Sequence, residues 1–210
     1  MKNWFRKSLL IIGLALISIN ASAKKKCYLG EMAIFRINSG LSASFFNPEG
    51  NDNYYPYLFY TGGIGIDYAM RRNFYMQTEV DYLRTGNVYS DNFITKSNYF
   101  DNLDFNTSFN FKGQAGPFRA VFGAGIYGIC AMGEGYQVKD HPELKNKEND
   151  YHSNYRTWNV GGVGNVGFLL NFGFINFGIR YKFQAPFLTT LKDNNARNFI
   201  HTIFFTIGIE

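Results

Sequence analysis

From residue 33 onward, apolar and polar residues exchange places every second position through eight separate segments. A period of two fixes extended strands, because successive side chains of a strand point to opposite faces. In segment 174–185, Ile175, Phe177, Ile179, Tyr181 and Phe183 share one face, and Asn176, Gly178, Arg180, Lys182 and Gln184 share the other. Segment 74–84 sets Phe74, Met76, Thr78, Val80 and Tyr82 against Gln77, Glu79 and Asp81. Segment 100–112 sets Leu103, Phe105, Phe109 and Phe111 against Asp104, Asn106, Ser108, Asn110 and Lys112. Segment 198–209 sets Ile203, Phe205, Ile207 and Ile209 against Thr202, Phe204, Thr206 and Gly208. The remaining segments fall at about 33–46, 57–70, 118–132 and 156–170. Those at 57–70, 118–132 and 156–170 are rich in glycine, which weakens a strand but permits curvature and close approach.

The connections alternate in length. Residues 71–73, 113–117 and 171–173 are short; residues 47–56, 85–99, 133–155 and 186–197 are long and polar. Each segment has at least the roughly 9–11 residues that a tilted strand needs to cross hydrocarbon. An open sheet edge in lipid would leave backbone groups unpaired, so spanning strands must close into a barrel. The bulky faces then look outward and the charged faces inward. The predicted fold is an all-β, eight-stranded antiparallel transmembrane β-barrel with short periplasmic turns and longer outer loops. A soluble lipocalin-like ligand-binding barrel needs the reverse polarity.

The residues before the alternation read as a leader. Lys2, Arg6 and Lys7 precede an apolar run from Leu9 to Ile19, and Ala21-Ser22-Ala23 is a small-x-small cleavage site. The run is shorter than the roughly 20 apolar residues of a spanning helix. The expected organisation is a cleaved signal peptide over residues 1–23, a periplasmic tail over 24–32 and one barrel domain over 33–210. The leader holds three of the 21 basic residues and no acidic one, so 18 remain against 16 acidic residues, a balance of +2. That balance gives no case for a nucleic-acid partner. Lys24-Lys25-Lys26 is the one basic run and reads as a solvated tail. The 22 Phe, 15 Tyr and 22 Gly with a mean hydropathy of −0.21 suit a membrane barrel, in which only alternate residues are apolar.

Two cysteines, Cys27 and Cys130, enter an oxidising compartment, but Cys27 is expected before the first strand on the periplasmic side and Cys130 near the outer end of the fifth, a separation of about 25 Å that keeps them apart as free thiols. No short Cys-x-x-Cys spacing supports a metal site. Lys24-Lys25-Lys26 before Cys27 does not match the small and apolar residues that lipoprotein processing requires. The glycine pairs at Gly161-Gly162-Val163-Gly164 and Gly123-Ala124-Gly125 lack the strand-to-helix context and the Lys-Ser/Thr of a phosphate-binding loop.

Glu79-Val80-Asp81-Tyr82-Leu83-Arg84-Thr85-Gly86, Gly116-Pro117-Phe118 leading into Val121-Phe122-Gly123-Ala124-Gly125-Ile126-Tyr127-Gly128, and Phe177-Gly178-Ile179-Arg180-Tyr181 together resemble strands of the PorT-like outer-membrane β-barrel domain family. At Leu103-Asp104-Phe105 the chain departs from that pattern, with Asn106 in place of a proline. The resemblance implies an eight-stranded barrel in the outer membrane, some relatives of which assist protein secretion. The last strand supplies the alternation that barrel assembly reads, although it ends on Glu210 rather than an aromatic residue.

No constellation reads as catalytic. His152-Ser153-Asn154 resembles the His-x-Ser-Asn pattern of outer-membrane lipid A deacylases but lacks the spacer, and adjacent strand residues face opposite sides. His141 lies in a polar loop, and His201 falls on the lipid-facing register of the last segment. The inward charges Glu79, Asp81, Asp104, Arg180 and Lys182, joined by Arg119, are expected to form a structural lumen network, because eight strands leave an interior that side chains can fill and buried charges need partners. The reading is a non-enzymatic, multi-pass barrel of the cell outer membrane with a filled lumen and no cofactor or metal. Its expected partners are outer-membrane lipid, the barrel assembly machinery and other envelope or secretion proteins, engaged through the outer loops. Residues 133–155, with Lys139, Asp140, Glu143, Lys145, Lys147, Glu148 and Asp150, form the longest of those loops. The alternative reading is a lipid-modifying enzyme.

Overall fold

The computed structural model describes residues 33–46, 54–71, 73–90, 95–138, 155–191 and 196–209. Eight strands follow in chain order: β1 Ala33–Phe46, β2 Tyr54–Arg71, β3 Phe74–Ser90, β4 Thr95–Ala115, β5 Phe118–Val138, β6 Trp158–Asn171, β7 Ile175–Pro186 and β8 Asn198–Ile209. Each pairs antiparallel with the next, and β8 returns to β1 from Phe46↔Asn198 down to Phe35↔Ile209, closing the barrel. Closure removes the sheet edges within this belt, as a strand-built membrane span requires.

The short turns follow from local chemistry. β4 and β5 are joined through Gly116 and Pro117, with Gly116 at φ 61°, and the β6–β7 turn carries Gly173 at φ 81°. Both lie in the left-handed region, where glycine has no Cβ penalty. At the other end the structure differs from the sequence reading. Residues 85–90 and 95–99 are strand rather than loop: β3 runs to Ser90, β4 starts at Thr95, and their ladder continues from Thr85↔Phe100 to Ser90↔Thr95. Polar residues there hide the strands from an alternation test, but a ladder outside lipid needs only backbone pairing. β5 likewise extends to Val138. The predicted leader, residues 24–32, Cys27, and the loop charges from Lys139 to Asp150 lie outside the described residues, as do His141 and His152-Ser153-Asn154.

The polarity is inside out. Phe35, Ile37, Leu41, Ile64, Phe122, Ile126, Phe168, Ile179, Ile203 and Phe205 are exposed on the outer face, whereas Arg36, Asp67, Glu79, Asp81, Asp104, Lys112, Arg119, Arg180 and Lys182 are buried inside. Along β3 the outward residues from Phe74 are Met76, Thr78, Val80 and Tyr82, before Arg84. Those ten steps, at about 3.3 Å each and tilted by about 40°, cover roughly 25 Å along the barrel axis, the height of a hydrocarbon-facing band. Arg84 closes that band with a partner: its Nε donates to Asp101 Oδ1 at 2.7 Å, and its guanidinium lies 4.1 Å from the rings of both Phe59 and Tyr99.

Candidate functional site

The inward residues of β3 lay out the lumen from the short-turn end upward: Tyr75, Gln77, Glu79, Asp81, Leu83, Thr85 and Asn87. In a ring of eight, β7 is four strands from β3 in either direction, so the two face each other across the lumen. Charges on them can therefore pair across the axis. Arg180 on β7 donates to Glu79 on β3, and Lys182 Nζ donates to Asp81 Oδ2 at 2.6 Å. Lys182 also reaches Asp104 Oδ2 on β4 at 2.9 Å, and Gln184 Nε2 donates to both Asp104 oxygens at 3.0 Å.

Polar neighbours complete the shell. Asn38 Nδ2 donates to Glu79 Oε1 at 2.9 Å, and Thr206 donates to the Asn38 carbonyl oxygen. In the amide orientation that satisfies both ends, Asn106 donates to Glu79 Oε2 and accepts from Lys182 Nζ, each at 3.2 Å. The ring of Phe204, fully buried on the inward face of β8, lies 5.1 Å from Lys182 Nζ and 5.9 Å from the Arg180 guanidinium carbon. An aromatic face offers a cation a partner that is itself apolar.

The glycines of β2 and β6 explain how such large side chains fit. Gly63 pairs with Asp81, Gly65 with Glu79 and Gly167 with Arg180. A Cβ at Gly65 would sit 2.8 Å from Glu79 Cγ, one at Gly167 2.6 Å from Arg180 Cγ, and one at Gly63 would strike Asp81. These strands lost their sequence alternation because the lumen beside each charge needs an absent side chain.

Five of the six predicted network residues are thus joined: Glu79, Asp81, Asp104, Arg180 and Lys182. Arg119 is also inside, but at the short-turn end, where with Arg36, Asp67, Tyr75 and Lys112 it lines a cavity of about 10 Å³. That is room for about one water. A second buried pair sits there: Arg36 Nε donates to Asp67 Oδ2 at 2.7 Å, and Gln77 Nε2 to Asp67 Oδ1 at 3.0 Å. Sequence reasoning missed this pair. The signal for Arg36 exists in β1, where Arg36, Asn38, Ser42 and Ser44 alternate with outward Phe35, Ile37, Leu41 and Ala43. Asp67 is harder to read, because it follows the glycine-rich part of β2.

Above the charges, apolar clusters pack among buried polar residues that include Ser44, Thr85, Asn87 and Asn102. Leu83, Tyr127, Ile129, Val163 and Ile200 form a buried layer, and Phe46, Leu191 and Ala196 form a second with Tyr155 packed against it. Tyr155 bridges to Leu191, stacks on Phe100 with centroids 3.4 Å apart, and lies 3.2 Å from the Thr85 hydroxyl. Burial pushes its phenol up to about 12, against the opposing effect of the Thr85 contact. Leu191 and Ala196, at the two described ends of the β7–β8 connection, thus pack with Tyr155 and Phe46 as a cap at this end of the barrel. Among the described residues no group of His, Cys, Asp and Glu could hold a metal ion. His201 is on the outer face, its Nδ1 2.5 Å from the Tyr181 hydroxyl and its ring against Phe45 and Phe183.

No protein-family model and no curated protein matches this chain. Among solved structures it is similar to Ail, the attachment invasion locus protein of Yersinia pestis, with a TM-score of 0.46 and 10% identity over 85% of this chain and 99% of that one. Neisserial surface protein A gives 0.47 and 11% over 85% and 99%. The N-terminal β-barrel domain of Pseudomonas aeruginosa OprF gives 0.37 and 9% over 81% and 96%. The fold itself is an eight-stranded antiparallel barrel, which the closed ring of strand pairs defines.

Proposed function

We propose that this chain is a non-enzymatic barrel of the outer membrane, exported by its leader with cleavage after Ala23, and that it acts through its outer face and its partners rather than by transport or catalysis. The observation that carries this reading is the polarity of the wall: charged side chains buried in the lumen, and bulky apolar ones exposed around a belt roughly 25 Å high. In water that belt would be an uncovered apolar surface far larger than a monomer normally shows. In lipid it is the solvent-matched face. The lumen supports the second half of the reading. Cross-axis ion pairs span its middle, and two apolar clusters pack beside buried polar residues nearer its other end, which supports a filled lumen. The resemblance to PorT-like barrels in β3, β5 and β7 favours a role in envelope integrity or protein secretion.

The test has two parts. The mature protein is expected to fractionate with the outer membrane and to migrate faster unboiled than boiled on SDS gels. Reconstituted in planar bilayers, it is expected to show no large, stable single-channel steps. Recovery as a soluble periplasmic protein, or porin-like conductance, would overturn the reading.

A further inference from the structure

Three cations converge inside the barrel at the short-turn end. Arg36 on β1, Lys112 on β4 and Arg119 on β5 line one small cavity with Asp67 and Tyr75. All five residues are buried. Asp67 is the one carboxylate of that lining, and both its oxygens are engaged. Oδ2 accepts from Arg36 Nε at 2.7 Å, and Oδ1 accepts from Gln77 Nε2 at 3.0 Å. Three cations against one carboxylate leave the lining at +2. Lys112 and Arg119 have contacts of their own and supply charge. Arg36 and Tyr75 supply the donors.

Arg36 Nη1 and the Tyr75 hydroxyl are buried and have no hydrogen-bond partner. For Arg36 the reason is local. Its Nε and Nη2 turn to Asp67, and on the β8 side it pairs with Gly208, which brings no side chain to it. A Cβ at Gly208 would stand 3.5 Å from Nη1. A buried donor without an acceptor is costly. Here two of them belong to side chains that border a space of about 10 Å³, room for one atom of roughly water's size. Two donors, a positive lining and a one-atom space fit an acceptor that carries negative charge and needs no donor in return. Water would accept from both donors and leave the charge uncompensated.

We propose that this cavity binds one monatomic anion of the chloride class, held by Arg36 Nη1 and the Tyr75 hydroxyl and balanced by the charges of Lys112 and Arg119. The ion does at this end of the lumen what the Glu79–Arg180 and Asp81–Lys182 pairs do higher up: it neutralises charge that folding has moved out of water. Chloride is slightly wider than a water molecule and needs a small outward shift of the long Lys112 and Arg119 side chains. Sulfate and gluconate are too large for the inner space. Arg119 also lines an open cavity of about 560 Å³ beside the β4–β5 turn, so the site lies one side chain from that opening. It needs no particular orientation of the barrel in its membrane.

The experiment uses the full mature chain, refolded in micelles and shown to be a barrel by its heat-modifiable migration. Urea unfolding is followed by Trp158 fluorescence while sodium chloride replaces sodium gluconate at constant ionic strength. A ligand of the folded state alone raises stability with the logarithm of its concentration above the dissociation constant. The wild-type midpoint is expected to rise with chloride in that way. Tyr75→Phe deletes only the hydroxyl. It is expected to be at least as stable as wild type in gluconate, because an unpartnered polar atom leaves the interior, and to need roughly tenfold more chloride for the same rise. Crystals soaked in bromide are expected to show an anomalous peak within hydrogen-bond reach of Tyr75 Oη and Arg36 Nη1. A midpoint indifferent to chloride, a Tyr75→Phe response equal to that of wild type, or no bromide in the cavity would overturn the proposal. Glu210 follows Gly208 by two positions. A chloride response that appears only in Glu210→Gln would make a carboxylate of this chain the occupant and overturn the proposal as well.

Discussion

Replacing Glu79 by alanine removes the acceptor that holds Arg180 across the lumen. Both residues are 1% exposed, so water cannot take the carboxylate's place without opening the barrel. The guanidinium left behind already has Nε and Nη1 without a hydrogen-bond partner, and the Phe204 ring, 5.9 Å away, offers it none. Removing one member of a buried pair costs about 3–5 kcal/mol, mostly from the stranded charge. Asn38 loses its acceptor too, adding about 1 kcal/mol for a neutral bond. At about 1.4 kcal/mol per decade, the folding equilibrium should fall by roughly three to four decades. Asp101→Asn is the comparison, because the Arg84–Asp101 pair is 20% and 25% exposed and such pairs contribute about 0–1 kcal/mol. Glu79→Leu combined with Arg180→Met removes both charges, and at least half of the lost stability should return. Trp158 is the one tryptophan after residue 23, and it is exposed on the wall of β6. Its fluorescence in phospholipid vesicles, followed through urea unfolding, reads all four proteins. Equal losses for Glu79→Ala and Asp101→Asn, or a double variant no more stable than Glu79→Ala, would refute cross-lumen pairing.

Three more outcomes can be checked with the same preparation. Gly63→Ala puts a Cβ against Val80 O and Asp81. Overpacking of that kind costs about 1–3 kcal/mol, so its urea midpoint should drop, while Gly113→Ala, with open space around it, should unfold near the wild-type midpoint. Cys130 is a free thiol and 8% exposed; it should resist maleimide until the barrel is unfolded, and a non-reducing mass lacking two protons would show instead that it bonds Cys27. Tyr155 has a folded-state value near 12, above the ordinary phenol value of 10.0. The neutral phenol therefore favours the closed cap fully below pH 10, and that contribution is lost as pH rises from 10 towards 12. Reactivity of Leu191→Cys should climb over that window relative to the same variant carrying Tyr155→Phe, and parallel profiles would remove Tyr155 from the cap.

The sequence by itself determined which way most side chains point. A strand has a period of two, so once β3, β4, β7 and β8 are located, Glu79, Asp81, Asp104, Arg180 and Lys182 share a face opposite the bulky apolar residues, whatever the partners. Short turns at Gly116 and Gly173 were legible for the same local reason. Only the tertiary structure decided which charges meet. Arg180 and Glu79 are 101 residues apart, and they are joined because closing eight strands sets β7 opposite β3. Alternation carries no information about that ring position. It also fails where the lumen needs space: Gly63, Gly65 and Gly167 blur the pattern of β2 and β6 because Asp81, Glu79 and Arg180 occupy the volume their side chains would fill. The height of the outer wall was hidden as well. Above the lipid a strand needs backbone pairing but no apolar face, so the extensions of β3, β4 and β5 read as polar loop until their ladders are seen.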